Sequence, residues 1–197
     1  MDIGVEPPLF RDIDKIPESP CPFWTGKRVE ETHLLTLIPG SIGDQLFTLR
    51  TFGELIKSRF PEICEGLATG FRSDGGEAEL CRDRCAGNDR SRWVLMTRDV
   101  LEGSRNIGFA EQQKLVAEHG EQAYVIPKVL EAAVCILAEY AASGRRIFGD
   151  HPRTYTRCDE MADGYRRAVG DFSPKSLRIA ANHSHDENIG IAALRRF

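Results

Sequence analysis

The chain has 197 residues, 41% of them apolar and 28% charged, with ten Phe, which is enough for one domain with a real core and excludes wholesale disorder. Twenty-six Lys and Arg stand against 30 Asp and Glu, a formal charge of −4, so no global basic field recruits nucleic acid. Residues 1–30 have no apolar core of the signal-peptide kind, and no run of about 18 apolar residues occurs, so membrane insertion is not expected and the chain is read as cytoplasmic as made.

In chain order, residues 1–25 carry Pro7, Pro8, Pro17, Pro20 and Pro22, which obstruct helix and central strand alike. They read as an extended N-terminal arm that packs through Ile16, Phe23 and Trp24 on a single domain spanning 26–197. Residues 32–38 (THLLTLI) predict a strand stopped by Pro39 and Gly40. Thr51 and Glu54 have capping-box spacing, with a short helix expected over 55–60. Residues 66–90 are polar and glycine-rich without a period and read as an insertion. Residues 92–97 (RWVLMT) predict a buried strand, and 109–119 a helix with Leu115 and Val116 inward.

The strongest helix covers 127–143. Pro127 suits its first turn, Gly144 its C-terminal cap, and Leu130, Ala133, Val134, Leu137 and Ala141 form one apolar face. Short strands follow at 154–157, 165–169, 177–181 and 189–194, separated by turns at Asp163-Gly164, Ser173-Pro174 and 183–188. An antiparallel meander after a helical middle makes the fold class α+β, two main helices packed on short antiparallel strands.

Candidate chemistry is sparse. The six cysteines fall at 21, 64, 81, 85, 135 and 158, and without an export signal they read as reduced thiols. Cys135 lies in an apolar helical run and reads as core. Structural zinc usually takes two tight ligand pairs, and Cys81 with Cys85 is the only Cys pair present, so two thiols in a polar insertion is the simpler reading. His183, His185 and Asp186 form a second possible metal set, against the alternative of a solvated turn. Cys158 adjoins Asp159 and Glu160, whose charges raise a thiol pKa, the wrong direction for a nucleophile. No phosphate-binding glycine loop and no basic stripe interleaved with aromatics occurs. No cofactor is expected.

The C-terminal end is more specific. It runs Val169-Gly170-Asp171-Phe172-Ser173, then Ser176-Leu177-Arg178-Ile179-Ala180, then a polar run, then Ile189-Gly190-Ile191-Ala192-Ala193-Leu194-Arg195-Arg196-Phe197. In this order the segments resemble the close of a C-type-lectin-like domain of the formylglycine-generating-enzyme branch, where a G-G-S/F turn, an LR-A strand and an IGFRL strand end the chain. The resemblance is closest to the variable proteins of diversity-generating retroelements, and it covers about the last forty residues, with weaker support from Arg92 onward. In place of the second glycine of the turn stands Asp171.

The resemblance implies a C-type-lectin-like fold whose C-terminal strands are scaffold and whose scattered outward positions are rewritten to make a binding site. Randomising the first two bases of an AAC codon yields Asn, His, Ser, Asp, Ala, Arg or Ile, but not Glu, Lys or Trp. Residues 181–186 fit that set throughout, whereas Lys175 and Glu187 do not. The implied variable face comprises Ser173, Ser176, Arg178, Ala180, Asn182, His183, Ser184, His185, Asp186 and Asn188, with Leu177 and Ile179 inward by strand alternation. Such a face, rich in adaptable hydrogen-bonding groups, suits an unidentified ligand that is itself a protein. The activity of the related enzymes rests on a C-terminal cysteine pair, and after Cys158 this chain has none. The expected function is therefore protein binding, the alternative being a metal or thiol enzyme built on His183, His185 and Asp186 or on Cys158.

Overall fold

The computed structural model describes residues 13–64, 70–73, 90–118, 123–162, 164–182 and 185–197. They form an α+β arrangement of two sheets and a small hairpin around the central helix. The first sheet has strand order β1 (His33–Ile38), β5 (Arg92–Thr97), β11 (Leu194–Arg196), β6 (Tyr124–Val125), antiparallel throughout. The second runs β10 (Ile189–Gly190), β7 (Tyr155–Ala162), β8 (Tyr165–Ser173), β9 (Ser176–Asn182), β4 (Arg72–Ser73), with β10 and β4 parallel to their neighbours. Strands β2 (Ser41–Ile42) and β3 (Gln45–Leu46) pair alone. No helix among the described residues is long and apolar enough to cross a membrane.

Between the sheets lies α4 (Val129–Ser143), which packs on β1, β5, β7, β8 and the helix α2 (Leu49–Arg59). Ala132, Ala133, Cys135 and Ile136 are wholly buried, because a helix wedged between two sheets buries nearly all of its circumference. Gly144 ends it in the left-handed region at φ 72°. Burial pushes the Cys135 thiol up to about 12. Glu131, in the first turn, is buried and grips Arg196 through two hydrogen bonds of 2.7 and 2.9 Å, with Arg92 at 3.4 Å, so the helix start is tied to β11 and β5.

Several boundaries move for local reasons. The helix expected over 55–60 begins at Leu49, capped one turn earlier than Thr51 by Thr48, whose hydroxyl accepts from the Thr51 amide while Thr51 Oγ1 accepts from the Thr48 amide. Thr32 closes a short helix α1 (Val29–Thr32) instead of opening β1. The helix α3 spans Phe109–Ala117, with Glu111 accepting from the Gly108 amide at 2.9 Å. Of the stretch read as an insertion, Phe71 is 1% exposed in the main core and Arg72–Ser73 pairs with Arg178 and Ile179; Cys81 and Cys85 lie outside the described residues.

The one strand expected over 189–194 is divided between the sheets. Ile191, Ala192 and Ala193 cross from β10 to β11, and their amides donate in turn to Ser104 Oγ, Thr156 Oγ1 and Thr97 Oγ1 at 3.1, 2.8 and 3.2 Å. Three side-chain hydroxyls thus take the place of strand partners where the chain is 0% exposed.

Within the arm, Ile16, Phe23 and Trp24 pack on a second cluster built around Leu95, Leu101, Tyr124 and Ile191. Beside them His33 is buried, its Nδ1 2.8 Å from Thr32 Oγ1 and its Nε2 3.2 Å from Tyr124 Oη. Burial first, and Arg98 second, lower its pKa to about 4. The unfolded chain takes up this proton near pH 6.5, whereas the folded chain refuses it until about 4, so stability falls as pH drops through that window, by up to about 3 kcal/mol. Urea unfolding at pH 7 and pH 4.5 checks this: His33→Gln loses most of that acid-dependent difference, and an unchanged difference refutes a buried neutral imidazole.

Candidate binding surface

The sheet β7–β8–β9 has two unlike faces, set by its register. Thr156, Val169 and Ile179 form one cross-strand row, and with Cys158 and Leu177 they point to the main core. The opposite face carries the rows Tyr155, Gly170, Arg178 and Arg157, Ala168, Ala180, with Arg166 opposite Asn182. Tyr155, Ala168 and Ala180 join Ile189 of β10 in a small apolar cluster on this outer face.

At one end of the face lies a charged cluster on Asp171. Gly170 brings β8 so near β7 that a Cβ would sit 2.2 Å from the Thr154 carbonyl oxygen. Asp171 follows in the left-handed region at φ 49°, and its amide donates to that same carbonyl at 2.9 Å. Its carboxylate, 8% exposed, accepts from Tyr155 Oη at 3.0 Å and Arg178 Nη1 at 3.3 Å, with Arg153 Nε at 3.5 Å. Burial pushes the Tyr155 phenol up to about 12, so it stays a donor. The cluster holds the Arg178 guanidinium in place, with its side chain 19% exposed.

At the other side, Arg105 donates to the Glu187 carbonyl at 3.0 Å and to Thr154 Oγ1 at 3.1 Å, fastening the loop that leads into β10. Asp186 Oδ1 accepts from the Asn188 amide and side chain at 2.8 and 3.0 Å, an Asx turn, and the Asp186 carbonyl accepts from Asn106 and Ile189.

The expected outward face is corrected at two positions. Ser176 and Ala180 are each 6% exposed, because the outer side of β9 is covered where alternation alone predicts solvent. Ser173, Asp186 and Asn188 are half-buried and their side chains hold turns: Ser173 Oγ accepts from the amides of Lys175 and Ser176. Arg178 is partly exposed and clamped, and His185 is exposed at φ 64°. His183, Ser184 and the side chain of Asn182 lie outside the described residues. Sequence reading missed Tyr155, Arg153, Arg157 and Arg105, although extending the period-2 pattern across 155–157 would have placed Tyr155 and Arg157 on one face.

Neither enzymatic alternative gains from the geometry. Cys158 is 0% exposed among aliphatic side chains, its sulfur 3.8 Å from the Thr156 carbonyl, so no substrate reaches it and the thiol reading is corrected. Among the described residues no group of three or more His, Cys, Asp or Glu is placed to hold a metal ion. Cys64, also buried, donates to the Gly70 carbonyl at 3.4 Å, and burial raises its pKa.

Fold and site together define a mixed α+β chain with a charged, rigidly braced sheet face. No family model, curated protein or solved structure matches it.

Proposed function

We propose that this chain is a C-type-lectin-like ligand-binding module, akin to the variable proteins of diversity-generating retroelements, that grips a protein ligand through the outer face of β7–β9 and residues 183–188. One observation carries the reading. Leu177 and Ile179 are locked in the core at 1% and 0% exposure, while Arg178 between them is held at the surface by Asp171. A binding face of this kind needs side chains that the core does not use, on a backbone fixed by those it does. The irregularity of β8 at Gly170-Asp171 supports the resemblance too: the close approach at Gly170 and the left-handed backbone at Asp171 are what a glycine pair supplies.

The burial of Ser176 and Ala180 narrows the face to Arg178, His185 and the half-buried turn residues. The test is the gene's flanks. A neighbouring reverse transcriptase gene and an adenine-rich near-copy of the segment encoding the C-terminal strands are expected; an intact locus with neither overturns the retroelement reading.

A further inference from the structure

Among the described residues β1 is the one long strand at a sheet margin, His33–Ile38. The other edge strands, β2, β3, β4, β6 and β10, are two residues long. A two-residue edge is too short to template another chain, whereas a six-residue edge can pair with one, and natural proteins guard such edges with lysine, proline or a bulge. β1 carries no Lys, Arg, Asp, Glu or Pro, and it pairs with β5 residue for residue without a shift of register.

The register defines which backbone groups on this edge are used. The Arg98 amide donates to the Thr32 carbonyl, so by alternation Leu34, Thr36 and Ile38 exchange hydrogen bonds with β5. The backbone groups of His33, Leu35 and Leu37 point the other way. At His33 both are taken: its amide donates to the Val29 carbonyl, and its carbonyl accepts from Arg98 Nε at 2.9 Å. Pro39, just past the strand, has no N–H to offer. Leu35 and Leu37 remain, and their N–H and C=O groups meet no partner among the described residues. The open window is therefore centred on Thr36.

We infer that β1 is a docking edge for a second copy of this chain, paired antiparallel about a two-fold axis at Thr36. In that register Leu35 stands opposite the partner's Leu37 and Leu37 opposite the partner's Leu35, and each pair exchanges both of its N–H···O bonds. His33, already satisfied, falls opposite the partner's Pro39, which has no amide hydrogen. A two-fold axis at Leu35 or at Leu37 instead sets an unpaired leucine against His33 or Pro39. The side chains agree with this match. Leu35 is half-buried against the second cluster, while Leu37, also half-buried, packs in none of the core clusters. Directly opposed across the new pair, on the face away from the main core, the two leucines cover each other. This self-match is what favours a second copy over an unrelated strand. The edge belongs to the first sheet, so the inference goes beyond the ligand reading and does not depend on it.

Sedimentation equilibrium of the full chain at pH 7 tests the pairing. Over about 1–500 μM the mass should rise from one chain to two and stop, with a dissociation constant of roughly 10–100 μM for so small an interface. The Leu35 and Leu37 amides should gain protection from hydrogen exchange over the same range. Leu37→Pro deletes an N–H that nothing within the chain uses, which an edge strand tolerates, so it abolishes the dimer while urea unfolding stays cooperative. Leu37→Lys puts a charge on the edge and weakens the dimer at least about tenfold. Met161→Lys, on β7 of the other sheet and 56% exposed in the native chain, leaves it intact. A chain that stays monomeric, one that grows beyond two copies, or a dimer in which these amides gain no protection overturns the inference. Protection already complete in the monomer also overturns it, since the edge is then closed from within the chain. Should Leu37→Pro not fold, Leu37→Lys decides, and an undiminished dimer overturns the site. The gene-flank test of the ligand reading stands whichever result is found.

Discussion

Ile179→Asp is expected to abolish cooperative folding. The side chain is 0% exposed at the centre of β9, between Val169 of β8 and Ser73 of β4, and packs into the main core. Replacement removes the buried aliphatic surface of isoleucine, and at pH 7 it places a carboxylate where the neighbouring core side chains are aliphatic. Together these exceed about 5 kcal/mol, comparable to the whole stability of an ordinary domain. Ile179→Val, which keeps shape and polarity, should cost about 0.5–1.5 kcal/mol. Urea unfolding followed by near-ultraviolet circular dichroism separates them: no cooperative transition for the aspartate, a slightly lowered midpoint for the valine. A native-like transition in Ile179→Asp would mean that β9 turns its other face inward, and the assignment of Arg178 to the surface would go with it.

Gly170→Ala has the second largest expected effect. The added methyl would meet the Thr154 carbonyl oxygen at 2.2 Å and the Tyr155 Cα at 2.6 Å, both backbone atoms, so no rotamer change relieves the clash. β7 and β8 must part at the point where Asp171 accepts from Tyr155 and Arg178. The expected loss is more than about 3 kcal/mol, the upper end of what overpacking costs, because main chain and not a pliable side chain must give way. Gly164→Ala is the control for backbone alone: its φ is +81° but nothing lies within 4 Å of the new methyl, so only the cost of a left-handed alanine remains, about 1 kcal/mol. Chemical denaturation of the two variants decides. A smaller loss for Gly170→Ala than for Gly164→Ala would show that the strands are not so closely apposed.

Much of this architecture is legible in residue patterns because the patterns are local. The run of Leu130, Ala133, Val134 and Leu137 and the stop at Gly144 mark α4 to within two residues at its start, and the alternation in 177–181 puts Leu177 and Ile179 on the buried side of β9. The binding face was only half legible. Period-2 alternation states which side chains share a face, but a second burial on the opposite face arises from segments remote in sequence. Ser176 and Ala180 are covered for that reason, and Cys158, beside Asp159 and Glu160 in sequence, is shut in the core. The role of Asp171 was hidden because its partners, Arg153, Tyr155 and Arg178, stand on three different segments.

Amino-acid order alone determined the mixed α+β class, the central helix, the meander of C-terminal strands and the inward position of Leu177 and Ile179, since each follows from the period of apolar residues and from the stereochemistry of proline and glycine. Tertiary structure alone decided that residues 189–196 divide between two sheets, that the face opposite the core is only partly open, and that Arg157 is buried against Gln112. Those outcomes depend on which distant hydroxyls, carboxylates and small side chains meet across the sheets, and no neighbour-to-neighbour pattern encodes such meetings.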